Sequence, residues 1–339
     1  MSNFVIHGIY ILILLFALTQ TRFFSQTTDQ LIRAHTPTHN FIMADSKPFP
    51  VTVHPYTSKV FRNAALYELG SSSARNTLLF VGGLGDGPHT VPYIRTVAAK
   101  IEAAEDLNYS VFEIRIRSSF SGFGWNSLAN DVEDISAAVK YLRSIGKEKV
   151  VLMGHSTGSQ DSIEYTNYEK YHNEPVDGFI IQGSVSDREG LPIDKGKENV
   201  DKLVAIATDM IKSGRGDDAV PKSQLPVELD PWPITAYRLH SLAGVGGDDD
   251  YFSSDLPDER VAEIWGRVKQ PILVVPSEKD QFVPPTVDFE KLLAKWKSFG
   301  PAISDLSGLI PEANHTVDPP SSREWLADRV VRFLRGLSK

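Results

Sequence analysis

From about residue 50 onward the chain switches repeatedly between two hydrophobic periods. Short, largely apolar runs at 77–81, 150–153, 178–182 and 271–275 have the length and character of strands buried on both faces. Residues 109–116 alternate like a further strand. Between these runs lie segments of helical period, at 91–104, 131–145, 159–168 and 322–337. In the second of these, Val132, Ile135, Ala138, Val139 and Leu142 fall on one face. Strands alternating with helices predict an α/β fold, a mostly parallel central sheet flanked by helices on both faces. One insertion interrupts the rhythm, at about 187–265, with helix-like stretches at 200–212 and 231–243. Coming after a strand, it is placed either to cover a site as a lid or to be a surface elaboration. The expected organisation is an N-terminal apolar segment and linker over 1–49, then one domain over 50–339 carrying that insertion.

One strand-to-helix junction carries chemistry. Gly154-His155-Ser156-Thr157-Gly158 follows the run 150–153 and precedes a helical segment. A strand turning sharply into a helix holds the central residue of such a pentapeptide in a strained conformation. Its hydroxyl then stands clear of the sheet, and side chains at the glycines would strike neighbouring backbone. Ser156 is therefore the candidate nucleophile. A serine hydroxyl needs a base, and the base needs an orienting acid. Asp280 follows the strand 271–275, and His315 lies shortly before the final helix, so both come after the serine in chain order. Glu278 and Asp187 are rival acids, and His240 is a weaker rival base within the insertion. His155 should point away from the serine and is assigned a structural role. The oxyanion needs backbone donors, for which Thr157 N–H and Leu84 N–H are the candidates, with Gly85 next. The latter two sit in the glycine-rich loop 82–87.

Composition narrows the partners. The 339 residues are 41% hydrophobic and 23% charged, ordinary for a globular protein, and the net charge is −8. No basic stripe suits a nucleic acid. With no cysteine, disulfides, thiolate catalysis and cysteine-bound metals are excluded. The glycine-rich loop fails as a nucleotide-binding motif, because the frame from Gly83 meets Pro88 and no G-K-[ST] follows. His35 and His39 lie in a proline-containing linker with no acidic partner nearby and read as solvated loop rather than metal ligands. No cofactor and no metal is expected.

The N-terminus leaves two readings. The apolar run within residues 4–19 is short for a membrane span and poor as a signal peptide, with no preceding Lys or Arg. Membrane association is expected only through this segment. Met43 opens a stretch like an ordinary cytosolic start. The sequon Asn314-His315-Thr316 encloses the candidate base, where a glycan would obstruct the site. The reading favours a cytoplasmic protein, the alternative being a membrane-anchored or secretory one.

The strings GGLGDG (82–87), SSFSGFGWNSL (118–128), GHSTGSQD (154–161), QGSVSDRE (182–189), GDDDYFSSDL (247–256), PSEKDQFVP (276–284) and ANHTVD (313–318) together resemble the α/β-hydrolase family that includes fungal siderophore esterases. The resemblance runs from about residue 50 to the C-terminus. It implies an α/β-hydrolase fold, a Ser156–His315–Asp280 mechanism and a small-molecule ester substrate. The implied substrates are fusarinine-type hydroxamate siderophores, cut to release iron inside the cell. Gly85, Trp125, Asp249, Asp250 and Tyr251 are the candidate substrate-binding residues. The acidic string in the insertion would attract free ammonium groups of ornithine-based esters. The competing functions are a generic carboxylesterase or lipase, possibly membrane-associated, and a hydrolase-fold binding protein without turnover.

Overall fold

A computed structural model describes residues 48–59, 61–225 and 233–337. Among them seven strands form one sheet: β1 (Thr52–Tyr56), β2 (Ala64–Leu69), β3 (Asn76–Val81), β4 (Tyr109–Ile114), β5 (Lys149–His155), β6 (Gly178–Gln182) and β7 (Ile272–Val275). Their spatial order is β1-β2-β4-β3-β5-β6-β7. The pairs from β4 through β7 are parallel, whereas β1 and β2 are antiparallel additions at one edge. The edge pair escaped the sequence reading for a physical reason. Most of β1 faces solvent and it carries Pro55, which only an edge strand tolerates. The central strands read clearly because every residue of β4, β6 and β7 is buried.

The described α-helices of eight residues or more, in chain order, are α1 (Tyr93–Ala103), α2 (Leu128–Ser144), α3 (Thr157–Tyr165), α4 (Asp187–Lys195), α5 (Lys197–Lys212), α6 (Ala236–Ala243), α7 (Asp258–Gly266), α8 (Phe289–Phe299) and α9 (Pro320–Leu337). α1 packs on α9, α2 on α3, and α7 on α8. Helix α2 starts where Ser127 and Asn130 cap each other reciprocally, Asn130 N–H donating to Ser127 Oγ and Ser127 N–H to Asn130 Oδ1. The predicted face Val132, Ile135, Ala138, Val139 and Leu142 is buried in the main core. Helix α6 begins later than its apolar pattern suggested. Pro233 and Ile234 precede it outside helical geometry, and Thr235 caps it by accepting from Arg238 N–H at 3.1 Å.

The segment between β6 and β7 builds a small core of its own. Val200, Leu203, Met210, Leu239 and Leu242 from α5 and α6 pack together with Phe123 from the turn 120–125. The register of the parallel strands sets where chemistry occurs: Val81 pairs with Gly154, His155 with Gln182, and Gln182 with Val275. The carboxyl ends of β3, β5, β6 and β7 therefore share one rim, and the loops leaving them meet there. None of the described helices is long and apolar enough to cross a membrane. The apolar run within residues 4–19 and the pair His35 and His39 lie outside the described residues.

Candidate active site

Ser156 sits between β5 and α3 with φ 54° and ψ −125°, a backbone conformation that a non-glycine residue rarely adopts. Its N–H donates to Gln182 O at 2.9 Å, which pins the turn to the neighbouring strand. Both glycines of the pentapeptide are required by close approach. A Cβ on Gly154 would lie 2.0 Å from Gly158 O, and one on Gly158 would lie 2.4 Å from Val81 O. Helix α3 thus starts in backbone contact with the end of β3. Ser156 Oγ has no hydrogen-bond partner among the described residues, His315 Nε2 included.

The other two candidate side chains meet on loops at the same rim. His315 Nδ1 lies 2.7 Å from Asp280 Oδ2, and both side chains are buried. That contact leaves the carboxylate as acceptor and Nδ1–H as donor, so Nε2 is the ring nitrogen available to a substrate or serine proton. Asp280 Oδ1 accepts from Phe282 N–H at 3.1 Å, and the Phe282 ring meets the imidazole edge-on at 4.8 Å. Ser156 and His315 both lie against the backbone of 182–183. Ser156 is bonded to Gln182 O, and a Cβ on Gly183 would lie 3.1 Å from His315 Cε1. The rival acids are engaged elsewhere: Glu278 accepts from Glu312 N–H, and Asp187 accepts from Gln160 Nε2 at 2.7 Å.

Two groups that the sequence did not mark hold this arrangement. Gln182 Nε2 donates to Ser277 Oγ and to His315 O, and its Oε1 takes a 2.6 Å hydrogen bond from His155 Nδ1. Gln281 Oε1 accepts from His315 N–H at 3.1 Å. His155 is fully buried, and burial followed by the neighbouring His315 pushes its pKa down to about 4, so it is neutral with Nδ1 protonated. A polar residue ending an apolar strand was the one available signal for Gln182.

Backbone donors surround the serine. A Cβ on Gly83 would lie 2.5 Å from Ser156 Cβ, so only a glycine lets the loop 82–87 come this close. Asp86 folds that loop back on itself by accepting from Gly83 N–H at 2.9 Å and from the Thr90 hydroxyl at 2.8 Å. Gly83 N–H is thereby consumed, whereas Leu84 N–H and Thr157 N–H, the latter in the first turn of α3, bind no described group. Gly85 follows at φ 80° in open space. Leu84, Phe120, Trp125 and Phe282 are large apolar side chains left exposed on these loops. The turn bearing Trp125 is joined to the insertion through Thr235 N–H donating to Gly124 O.

The acidic string of the insertion turns inward. Asp249 pairs with Arg238 at 2.6 Å with both side chains buried, and Asp250 pairs with Arg188 at 2.9 Å. Tyr251 is buried against Phe252 in the main core and hydrogen-bonds Glu164. All three candidate substrate residues are thus occupied by protein partners; only Asp248 of the run is exposed, held by the Tyr237 hydroxyl. Arg238 in turn reaches a group of carboxyls behind the loop 82–87. Burial first, then neighbouring carboxylates, pushes Asp131 and Asp187 up to about 7 and Asp161 well above its ordinary value. Burial opposes the charge on Arg238, but Asp249, Asp131, Asp161 and Asp187 outweigh it and hold the guanidinium firmly protonated. The His240 side chain lies on α6 against Gly244.

A cleft of about 620 Å³ along α2 beside Tyr141 and Tyr171 contains none of these groups. Comparison with known proteins gives the family of the chain. A family model described as DUF1749, a protein of unknown function, matches residues 43–335. The chain belongs to this family. UPF0613 protein PB24D3.06c of Schizosaccharomyces pombe is 36% identical, over 86% of this chain and 98% of its own length. A protein of Aspergillus fumigatus named fusarinine C esterase sidJ is 30% identical, over 86% of this chain and 97% of its own. Among solved structures, siderophore hydrolase EstB from Aspergillus fumigatus matches with a TM-score of 0.73 at 28% identity, covering 87% of this chain and 99% of that one. The resemblance to fungal siderophore esterases is borne out, and the fold is that of the α/β-hydrolases. Relatives named esterases and hydrolases place this family member among the enzymes of the fold.

Proposed function

We propose that the protein is a serine esterase of siderophore esters, acting through Ser156, His315 and Asp280. The observation that carries this reading is the 2.7 Å contact between His315 Nδ1 and Asp280 Oδ2 beside the strained Ser156 turn. In the first half-reaction His315 Nε2 takes the Ser156 proton as Oγ adds to the ester carbonyl. Thr157 N–H and Leu84 N–H receive the oxyanion, and Asp280 steadies the imidazolium. Collapse breaks the ester C–O bond, and the imidazolium gives its proton to the departing alcohol oxygen. Water, deprotonated by His315, then cleaves the acyl-serine and frees the acid and the serine. The exposed Leu84, Phe120, Trp125 and Phe282 provide an apolar rim for the substrate.

The proposed substrate is a fusarinine-type hydroxamate ester, with intracellular iron release as the physiological outcome; a relative named fusarinine C esterase and a structure named siderophore hydrolase support the siderophore-ester part of this reading. The test is a panel of iron-loaded and iron-free siderophore esters and simple fatty esters, with products identified by mass spectrometry. Release of hydroxy-acid fragments from the siderophores supports the reading. Turnover of fatty esters alone identifies a generic carboxylesterase or lipase. No turnover of any ester identifies a binding protein.

A further inference from the structure

Resting on the esterase reading above, we propose that Asp86 is the positioning residue of the oxyanion loop: its carboxylate withholds Gly83 N–H from the reaction and keeps Leu84 N–H aimed as the donor. Asp86 holds both backbone polar groups of Gly83. Its Oδ2 accepts from Gly83 N–H at 2.9 Å, and its own N–H donates to Gly83 O at 3.0 Å. Residues 83–86 thus form a β-turn, with Gly85 at φ 80° in the third position, where a type II turn takes glycine. The Thr90 hydroxyl donates to Asp86 Oδ1 at 2.8 Å and accepts from Gly87 N–H at 3.1 Å, which fixes the carboxylate from its other side. The Asp86 backbone is held as well, by Phe120 N–H donating to Asp86 O at 2.7 Å.

These contacts decide which donor is presented. Gly83 C=O and Leu84 N–H belong to one planar trans peptide and point in opposite directions. With Gly83 O turned onto Asp86 N–H, Leu84 N–H points away from Asp86 and binds no described group. The room for movement is small, because a Cβ on Gly83 would lie 2.5 Å from Ser156 Cβ and 3.1 Å from His155 O. Charge does not explain the aspartate. A carboxylate on a loop that receives an oxyanion opposes the charge developing there. His155 Nε2, 3.9 Å from Asp86 Oδ2, belongs to an imidazole that burial keeps neutral with its proton on Nδ1, so the two form no ion pair. Hydrogen-bond geometry is what the side chain supplies. Without it the peptide between Gly82 and Gly83 loses its anchor, and two adjacent glycines let the backbone turn. Leu84 N–H is then no longer pre-organised when the oxyanion forms. Such a donor acts in the transition state, so its loss falls on kcat rather than KM.

The test compares Asp86→Ala and Asp86→Asn in the full chain by steady-state hydrolysis of a p-nitrophenyl ester, with inhibition by an alkyl trifluoromethyl ketone, whose serine adduct carries an oxyanion. Asp86→Ala is expected to lower kcat about 10²-fold with KM within about threefold of wild type, and to weaken the ketone as much as kcat/KM falls. Asp86→Asn keeps an acceptor for Gly83 N–H and can donate to Thr90 Oγ1, and is expected to stay within about tenfold of wild type. Amide hydrogen exchange of the peptide spanning 82–87 reads the loop without turnover and is expected to quicken in Asp86→Ala but not in Asp86→Asn. Circular dichroism checks both folds; where Asp86→Ala does not fold, Thr90→Val takes its place, with the same kcat-borne loss at about threefold or more. Wild-type kcat in the alanine variant or its substitute, a loss carried by KM alone, or Asp86→Asn as impaired as Asp86→Ala overturns the role of Asp86. A wild type that neither cleaves the ester nor binds the ketone overturns the esterase reading itself, and the role of Asp86 with it.

Discussion

Ser156 combines a strained backbone with a hydroxyl that no described group engages, and His315 presents Nε2 because Asp280 holds Nδ1. Each group in isolation is ordinary, and their reactivity arises from the pairing. Ser156→Ala and His315→Ala are each expected to lower turnover by about six orders of magnitude, as in other serine hydrolases whose residues act as a unit. A mild loss in His315→Ala, measured by steady-state ester hydrolysis, assigns the base elsewhere. Asp131 makes a different prediction, about stability. In the folded chain it keeps its proton up to about pH 7, whereas an unfolded aspartate releases it near pH 4. Across that window the folded state binds the extra proton, so this group's contribution falls as pH rises and stays low above pH 7. Asp134 on its own helix, Asp161 on α3, and Arg238 and Asp249 from the insertion share the effect. Asp131→Asn removes the loss, so between about pH 5 and about pH 8 the variant should gain on the order of 2 kcal/mol relative to wild type in urea unfolding. A constant offset at both pH values contradicts that account. The sequence marked Ser156, Asp280 and His315 through local strand–loop context. It gave no hint of Asp131, Asp161 or Arg238 as buried neighbours, because a polar residue on a helix is read as solvent-facing until its tertiary partner is known.

At the scale of elements, the site depends on three backbone approaches at the carboxyl ends of β3 and β5. Gly158→Ala puts a methyl 2.4 Å from Val81 O, and neither partner is a flexible side chain. Helix α3 must shift from β3, at a cost of roughly 1–3 kcal/mol or more. The measurement is thermal denaturation with ester turnover, and both are expected to fall; a variant of wild-type stability shows the helix start to be less constrained. Parallel strands were legible because burial on both faces makes them continuous apolar runs. Helix α2 was legible from its stripe of Val132, Ile135, Val139 and Leu142. The edge strand β1 and its neighbour β2 were not, since β1 faces solvent and its pairing with β2 is known only from the fold. The inward turn of Asp249 and Asp250 was equally hidden: an acidic run beside glycines looks solvated, and only the distant Arg238 and Arg188 show otherwise.

For the whole molecule, the insertion joins the hydrolase body through charge as well as through its own apolar core. Arg238 on α6 stands among Asp131 of α2, Asp161 of α3, Asp187 of α4 and Asp249 of the insertion. Arg238→Leu leaves these carboxyls without their cation and is expected to cost on the order of 3–5 kcal/mol, read by denaturant unfolding. A loss near zero would mean that protonation of the aspartates replaces the guanidinium. The account as a whole rests on a hydroxyl, an imidazole and a carboxylate working as one unit at the rim of the sheet. Its most direct test is labelling of the full chain by a fluorophosphonate, followed by peptide mass spectrometry. The account predicts a single adduct on Ser156 in the wild type, none in Ser156→Ala, and labelling slowed by orders of magnitude in His315→Ala. An adduct on another residue, or unchanged labelling of Ser156 in His315→Ala, contradicts it.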